Sequence, residues 1–81
     1  MDKRLGFVAI ILENREHAES VNEILHAYSE IIVGRMGLPY RERGVAVISL
    51  IVDATGDEVS ALTGKLGRID GVTVKSALAK G

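Results

Sequence analysis

The chain has 81 residues, enough for one hydrophobic core and too few for two. Its formal net charge of −1 argues against a basic nucleic-acid-binding domain, and the lack of cysteine excludes disulfides, thiolate metal sites, iron–sulfur ligation and cysteine nucleophiles. No apolar stretch approaches the roughly 20 residues of a membrane-spanning helix, and no leader peptide opens the sequence, so we expect a cytoplasmic protein with no membrane partner.

The first half of the chain predicts a strand, a helix and a second strand. The segment from Arg4 to Glu13 contains a short continuous apolar run, which is typical of a strand buried on both faces. Asn14 then offers an N-cap for a helix. The buried face of that helix is predicted from four residues at helical spacing: Ala18, Val21, Leu25 and Tyr28. A second strand is predicted from Glu30 to Leu38, where Gly34 and Gly37 suggest a bulge.

The second half repeats this order after a hairpin turn at Pro39 to Gly44. A third strand, apolar on both faces, is predicted from Val45 to Asp53. Thr55 and Glu58 have the spacing of a capping box at the start of a second helix, and Gly67 is a candidate C-cap. The buried face of this helix is predicted from the same spacing: Val59, Leu62, Leu66 and Ile69.

An internal repeat indicates that the chain consists of two similar halves. Asn14 aligns with Thr55 at an offset of 41 residues, and a last strand from Val72 to Leu78 completes the second half. Two βαβ halves predict an α+β, ferredoxin-like βαββαβ plait as a single domain over 1–81. In this fold the first and third strands are central in an antiparallel sheet, and both helices cover one face.

The other face of that sheet would be left open. Because the central strands are apolar on both faces, we expect a large exposed apolar surface on a small domain. A second copy of the chain is the simplest partner for such a surface. The sequence therefore predicts a homo-oligomer, either a dimer or a tetramer.

Metal binding and catalysis receive little support from the residue pattern. His17 and His26 are nine positions apart on one predicted helix, so at about 100° per residue they point to opposite sides and cannot chelate one ion within a chain. One of them could still reach a site across an oligomer interface. Gly64, in the interior of the second helix, indicates either close packing against a neighbour or backbone approach to a ligand.

The hairpin region is rich in arginine. We predict that Arg35, Tyr40, Arg41 and Arg43 converge around this turn and bind a small anionic effector, because guanidinium groups suit carboxylate and phosphate. Two other interpretations stay open. The hairpin is a solvated turn, or its arginines pair with the acidic side of the first helix in another subunit, which carries Glu16, Glu19 and Glu23.

Four segments resemble a small bacterial family named for a regulator of the iron-only hydrogenase system. They are Gly34 to Gly44, Val47 to Leu50, Ala61 to Gly67 and Gly71 to Leu78, and the resemblance covers nearly the whole chain. More distantly, the predicted arrangement of strands and helices is similar to that of ACT domains and of the C-terminal domain of the nickel-responsive regulator. The ACT-like part is Leu66-x-x-Ile69-x-Gly71-Val72.

The resemblance implies an ACT-like, non-catalytic regulatory or ligand-sensing module. The alternative is a structural or protein-interaction module that oligomerises without a small ligand. Residues 13–16 lack the glycine of ACT effector loops, and no cysteine or strand histidine matches the nickel-responsive regulator. That regulator also carries a ribbon-helix-helix arm, for which this sequence has no counterpart, so we expect no direct contact with nucleic acid.

Overall fold

The computed structural model describes residues 2–80, which contain four strands, two helices and three short 3₁₀ turns. The strands are β1 (Arg4–Leu12), β2 (Ile32–Tyr40), β3 (Val45–Ala54) and β4 (Val72–Leu78). The helices are α1 (Ala18–Ala27) and α2 (Gly56–Gly67), and the 3₁₀ turns are Arg15–His17, Ser29–Ile31 and Arg41–Arg43. None of the helices within residues 2–80 has the length and apolar character to cross a membrane. Met1 and Gly81, which the predicted domain includes, lie outside the described residues.

The strands form one antiparallel sheet in the order β2-β3-β1-β4. The turn Arg41–Arg43 joins β2 to β3 as antiparallel neighbours, whereas each helix carries the chain past one strand before it re-enters the sheet. Strands β1 and β3 are therefore central and pair with each other along their whole length. The predicted ferredoxin-like plait is confirmed.

The core lies between the sheet and the two helices. Strands β1 and β3 bury every second side chain, so the burial on both faces expected from their sequence is not found within one protomer. The even-numbered positions face the helices because only that face has a second layer. The buried side chains are Val8, Ile10, Leu12, Val21, Leu25, Ile31, Ile48, Leu50, Val52, Ala54, Val59, Leu62 and Leu66.

Both predicted N-caps are present. The side-chain oxygen of Asn14 accepts a hydrogen bond from the Glu16 N–H at 2.9 Å, although the first turn is 3₁₀ and α1 begins only at Ala18. Thr55 Oγ1 accepts from the Glu58 N–H at 3.2 Å, and the Glu58 carboxylate accepts from the Thr55 N–H at 2.9 Å. The bond from the Thr55 N–H is the main reason why the pKa of Glu58 lies below its ordinary value.

The end of α2 differs from the sequence-based expectation. Gly67 is still helical, and the C-cap is Arg68 in a right-handed conformation, so no left-handed glycine ends this helix. The left-handed residue comes later, at Gly71 with φ 78°, where the chain turns into β4. The Gly71 carbonyl accepts a hydrogen bond from the Glu13 N–H at 2.8 Å, which ties this turn to the end of β1.

A bulge interrupts β2 at Val33. Ile32 pairs with Val52 and Gly34 pairs with Ile51, so Val33 is an extra residue with no partner in β3. The irregularity predicted from the glycines of this strand is therefore present. Its consequence is that residues after Val33 face the opposite side of the sheet from the side that simple alternation predicts.

Candidate functional site

The face of the sheet opposite the helices is open and apolar. We call it the open face; it consists of the odd-numbered residues of β1, β3 and β4 together with the outward side chains of β2. Among residues 2–80, the large apolar side chains that remain exposed all lie on it: Leu5, Phe7, Ile11, Val33, Met36, Leu38, Tyr40 and Ile51. The expectation of an exposed apolar surface is confirmed for the protomer.

The pairing register arranges the open face in rows. Ala9 pairs with Ser49 on one side and with Lys75 on the other, and Ser49 pairs in turn with Met36. Phe7 lies next to Ala9 on the same face of β1 and borders, with Ala9, Ser49 and Lys75, a shallow depression of ≈ 310 Å³. Lys75 is on the edge strand β4, so its ammonium group can extend to solvent while its methylene groups cover apolar neighbours.

Gly6 allows the edge strand to approach β1 closely. It pairs with Leu78, and a Cβ atom on Gly6 would overlap the carbonyl oxygen of Ala77 and come within 2.6 Å of a methyl group of Leu78. Beside this contact, Leu5 and Ile51 contribute to a second apolar depression of ≈ 360 Å³ on the open face. The absence of a side chain at Gly6 therefore shapes one end of the face.

Arg35 lies on the helix side of the sheet. It pairs with the buried Leu50, and its Nη2 donates a hydrogen bond to the side-chain oxygen of Asn22 on α1 at 2.7 Å. Strict alternation would have placed Arg35 with Val33, but the bulge separates the two. Arg35 borders a depression of ≈ 460 Å³ between α1 and β2, which is lined also by Asn22, Leu25, His26, Ser29 and Ile32.

Tyr40 and Arg43 lie at the other side of the sheet. They border a depression of ≈ 360 Å³ at the hairpin end of the open face, where Ile11 and Glu13 also contribute. The Tyr40 hydroxyl donates to the Glu42 carboxylate at 3.4 Å. Arg41 is exposed in the 3₁₀ turn. The four residues predicted to form one effector site are thus divided: Tyr40 and Arg43 share a surface, and Arg35 is on another.

Histidine takes part in one of these surfaces. His26, which is four residues after Asn22 on α1, lies beside Arg35, whereas His17 lies in the first 3₁₀ turn. Sequence reasoning considered His26 only for a metal site across an oligomer interface and did not single out Asn22, although their spacing places both on the same side of a helix. Within residues 2–80, no three His, Cys, Asp or Glu side chains group closely enough to hold a metal ion.

Comparison with known proteins connects the chain to one family. A profile of the TM1266-like family, described as "Iron-only hydrogenase system regulator, putative", matches residues 4–76. The structure of the uncharacterized protein TM1266 from Thermotoga maritima superimposes with a TM-score of 0.91 at 45% identity, covering 98% of this chain and 100% of that one. No match was found among curated proteins.

Two further structures share the fold alone. A formyltetrahydrofolate deformylase from Pseudomonas putida KT2440 has a TM-score of 0.64 at 10% identity, over 90% of this chain and 28% of that chain. CPII, a nitrogen regulatory PII-like protein from Thiomonas intermedia K12 bound to ADP, AMP and bicarbonate, has a TM-score of 0.54 at 19% identity, over 95% and 91% of the two chains. At these identities the likeness concerns the arrangement of strands and helices.

Proposed function

The chain belongs to the TM1266-like family, whose description is a regulator of the iron-only hydrogenase system, and from this we propose that it is a non-catalytic regulatory module that works as a homo-oligomer. The observation that carries this proposal is the open face. One of the two faces of the sheet is uncovered in the protomer, and a large exposed apolar surface of this kind marks a site of contact with a partner.

The size of the open face fits a stable interface. A strand of 10 residues, the length of β3, extends about 34 Å, so it fits only along the longest of the protein's three dimensions, 39 × 20 × 17 Å. Four such strands about 4.8 Å apart give the face a flat area of roughly 650 Å², which is of the same order as the roughly 800 Å² of accessible surface that each partner contributes to a standard protein–protein interface.

The composition of the face fits a second copy. Its middle is apolar or neutral, with Phe7, Ala9, Ser49 and Ile51. Its charged residues lie at the margins, with Lys75 on the edge strand being one example. An apolar centre with a polar rim is the usual anatomy of an interface. Two identical faces of this kind can stack about a two-fold axis, and a further pairing of dimers would give a tetramer.

The hairpin residues Tyr40 and Arg43 belong to the rim of this interface in our proposal. Tyr40 and Arg43 border the open face next to Glu13, so their polar groups would surround the buried apolar centre. The sequence predicts that these residues bind an effector, whereas we propose that they contact the partner subunit. Arg35 stays available for a ligand because it lies on the helix side.

The second candidate function is a structural module that oligomerises without a ligand. It is favoured by the same open face, which needs no small molecule to explain it. Both candidates act through protein contacts, and for both we keep the expectation that the chain does not bind DNA directly.

A genetic experiment tests the regulatory role. In a host that carries this chain and an iron-only hydrogenase, the gene is deleted and then restored as the wild type, as Phe7→Glu or as the control Ala61→Glu. Ala61 is exposed on α2, away from the open face. We expect deletion to change hydrogenase activity, and the wild type and Ala61→Glu to restore it while Phe7→Glu does not. Unchanged hydrogenase activity after deletion would overturn the regulatory proposal.

A further inference from the structure

The guanidinium of Arg35 is held in place by a neutral partner. The Asn22 side-chain oxygen accepts one N–H at 2.7 Å, and a guanidinium has several further donors. Of the residues that the structure describes, no Asp or Glu lines the depression that Arg35 borders. A guanidinium that a neutral amide orients, beside a depression whose lining carries no carboxylate, attracts an anion.

Two more hydrogen-bonding side chains surround the same space. His26 follows Asn22 by one helical turn, and Ser29 begins the 3₁₀ turn that leads into β2. Their imidazole and hydroxyl groups can donate to an oxyanion that Arg35 holds. Asn22 has a different part, since its bond to Arg35 orients the guanidinium and makes it a positioning residue.

The rest of the lining is apolar. Ile32 is half-buried and contributes most of the aliphatic surface between α1 and β2, whereas Leu25, which is only 2% exposed, lies at the bottom of the depression. The volume of ≈ 460 Å³ lies within the roughly 300–1,000 Å³ of small-molecule sites. A bare inorganic anion would leave this aliphatic surface uncovered, whereas a carboxylate with a short hydrocarbon group would cover it.

We propose that the depression between α1 and β2 binds a small organic carboxylate, with Arg35, His26 and Ser29 as donors and Leu25 and Ile32 against its hydrocarbon group. This inference deepens the proposed regulatory function, because it assigns the class of effector. It concerns the side of the sheet opposite to the interface, so the two proposals can fail separately.

Titration of the ¹⁵N-labelled protein followed by amide chemical shifts tests this site. The probes are isovalerate, propionate and inorganic phosphate, and the variants are Arg35→Ala, Arg35→Lys and the matched control Arg41→Ala. We expect saturable shifts around residues 22–35 with isovalerate, weaker affinity for propionate and no comparable binding of phosphate. Arg35→Ala should weaken isovalerate binding by about tenfold or more, Arg35→Lys should weaken it because the planar fork is lost, and Arg41→Ala should have no effect.

Three outcomes would overturn the proposal: no saturable shift with either carboxylate, an affinity for isovalerate that Arg35→Ala leaves unchanged, or phosphate binding as tightly as isovalerate. Sedimentation of the same samples separates this result from the proposed function. If the site is correct, Arg35→Ala keeps the wild-type oligomer and loses only the ligand. If Arg35→Ala instead weakens the oligomer and nothing binds, Arg35 is an interface residue and the effector site is wrong.

Discussion

Phe7 and Ile51 stand directly opposite each other in the pairing of β1 with β3, and 63% and 50% of their respective surfaces are exposed. They occupy the two central strands, where large apolar side chains are normally covered. Burying a side chain of this size stabilises a structure by about 1.5–3 kcal/mol. The pair is therefore the part of the open face where we expect the largest gain from a partner.

Phe7→Ser should weaken self-association without unfolding the protomer. Phe7 contributes to the open face and is not part of the core, so its loss removes contacts to the partner. In a two-fold interface the change occurs twice, and the dissociation constant should rise by at least about tenfold. Sedimentation velocity over a dilution series measures this constant, with Ala61→Ser as the control on α2. A Phe7→Ser oligomer as tight as the wild type would place the interface elsewhere.

Gly6→Ala should destabilise the pairing of β1 with β4. The new Cβ would meet the Ala77 carbonyl oxygen and the Leu78 side chain, so the edge strand must shift. Overpacking of this kind costs about 1–3 kcal/mol of unfolding free energy. The control is Gly37→Ala, because within the described part of the chain a Cβ on Gly37 would meet no atom within 4 Å beyond its two chain neighbours. Urea denaturation should show the loss for Gly6→Ala and a change within about 0.5 kcal/mol for Gly37→Ala.

Gly64→Ala tests what lies next to α2. Among residues 2–80, a Cβ on Gly64 would meet no atom within 4 Å apart from its chain neighbours and the backbone of its own helix. The sequence left open that Gly64 packs closely against a strand of its own chain, and the structure excludes this for the described residues. Alanine should then stabilise the helix by about 1 kcal/mol. Thermal denaturation measures this gain. A looser oligomer in the variant would instead show that another subunit packs against Gly64.

The capping box should make stability depend on pH in the acidic range. The pKa of Glu58 is lowered in the folded protein, chiefly by the hydrogen bond from the Thr55 N–H. Folding therefore favours the ionised carboxylate of Glu58. The stabilisation that this carboxylate gives to the folded protein is present above the unfolded-state pKa and is lost as the pH falls through the folded-state pKa. The wild type should be more stable than Glu58→Gln at neutral pH, and the difference should shrink as the pH falls below the ordinary glutamate pKa of about 4.3. Glu23→Gln, in the exposed middle of α1, is the control for denaturation at each pH. A difference between wild type and Glu58→Gln that does not shrink as the pH falls would contradict the assignment.

The sequence predicts most of the fold because its signals are local. The caps at Asn14 and Thr55 and the helical spacing after each of them repeat in both halves, and two βαβ units leave few arrangements of four strands. The open face also follows from the sequence, since β1 and β3 have more apolar residues than two helices can cover.

The position of Arg35 could not be predicted in the same way. One extra residue, Val33, reverses the side on which every later residue of β2 lies, and the sequence does not say which residue of the strand is the bulge. The grouping of Arg35 with Tyr40 and Arg43 rested on closeness along the chain. The sheet places them on opposite faces, and the partners that surround Arg35 come from α1, which only the tertiary structure brings together with β2.

Thiol labelling tests most directly whether a second copy covers the open face, because the chain has no cysteine of its own. Single substitutions Ser49→Cys, in the middle of the open face, and Ser60→Cys, exposed on α2, differ little in size from serine and report on the two sides of the protein. We expect a maleimide at micromolar protein concentration to label position 60 rapidly and position 49 slowly, and the rate at position 49 to rise on dilution as the oligomer dissociates. Equal and rapid labelling of both positions, unchanged by protein concentration, would contradict the account.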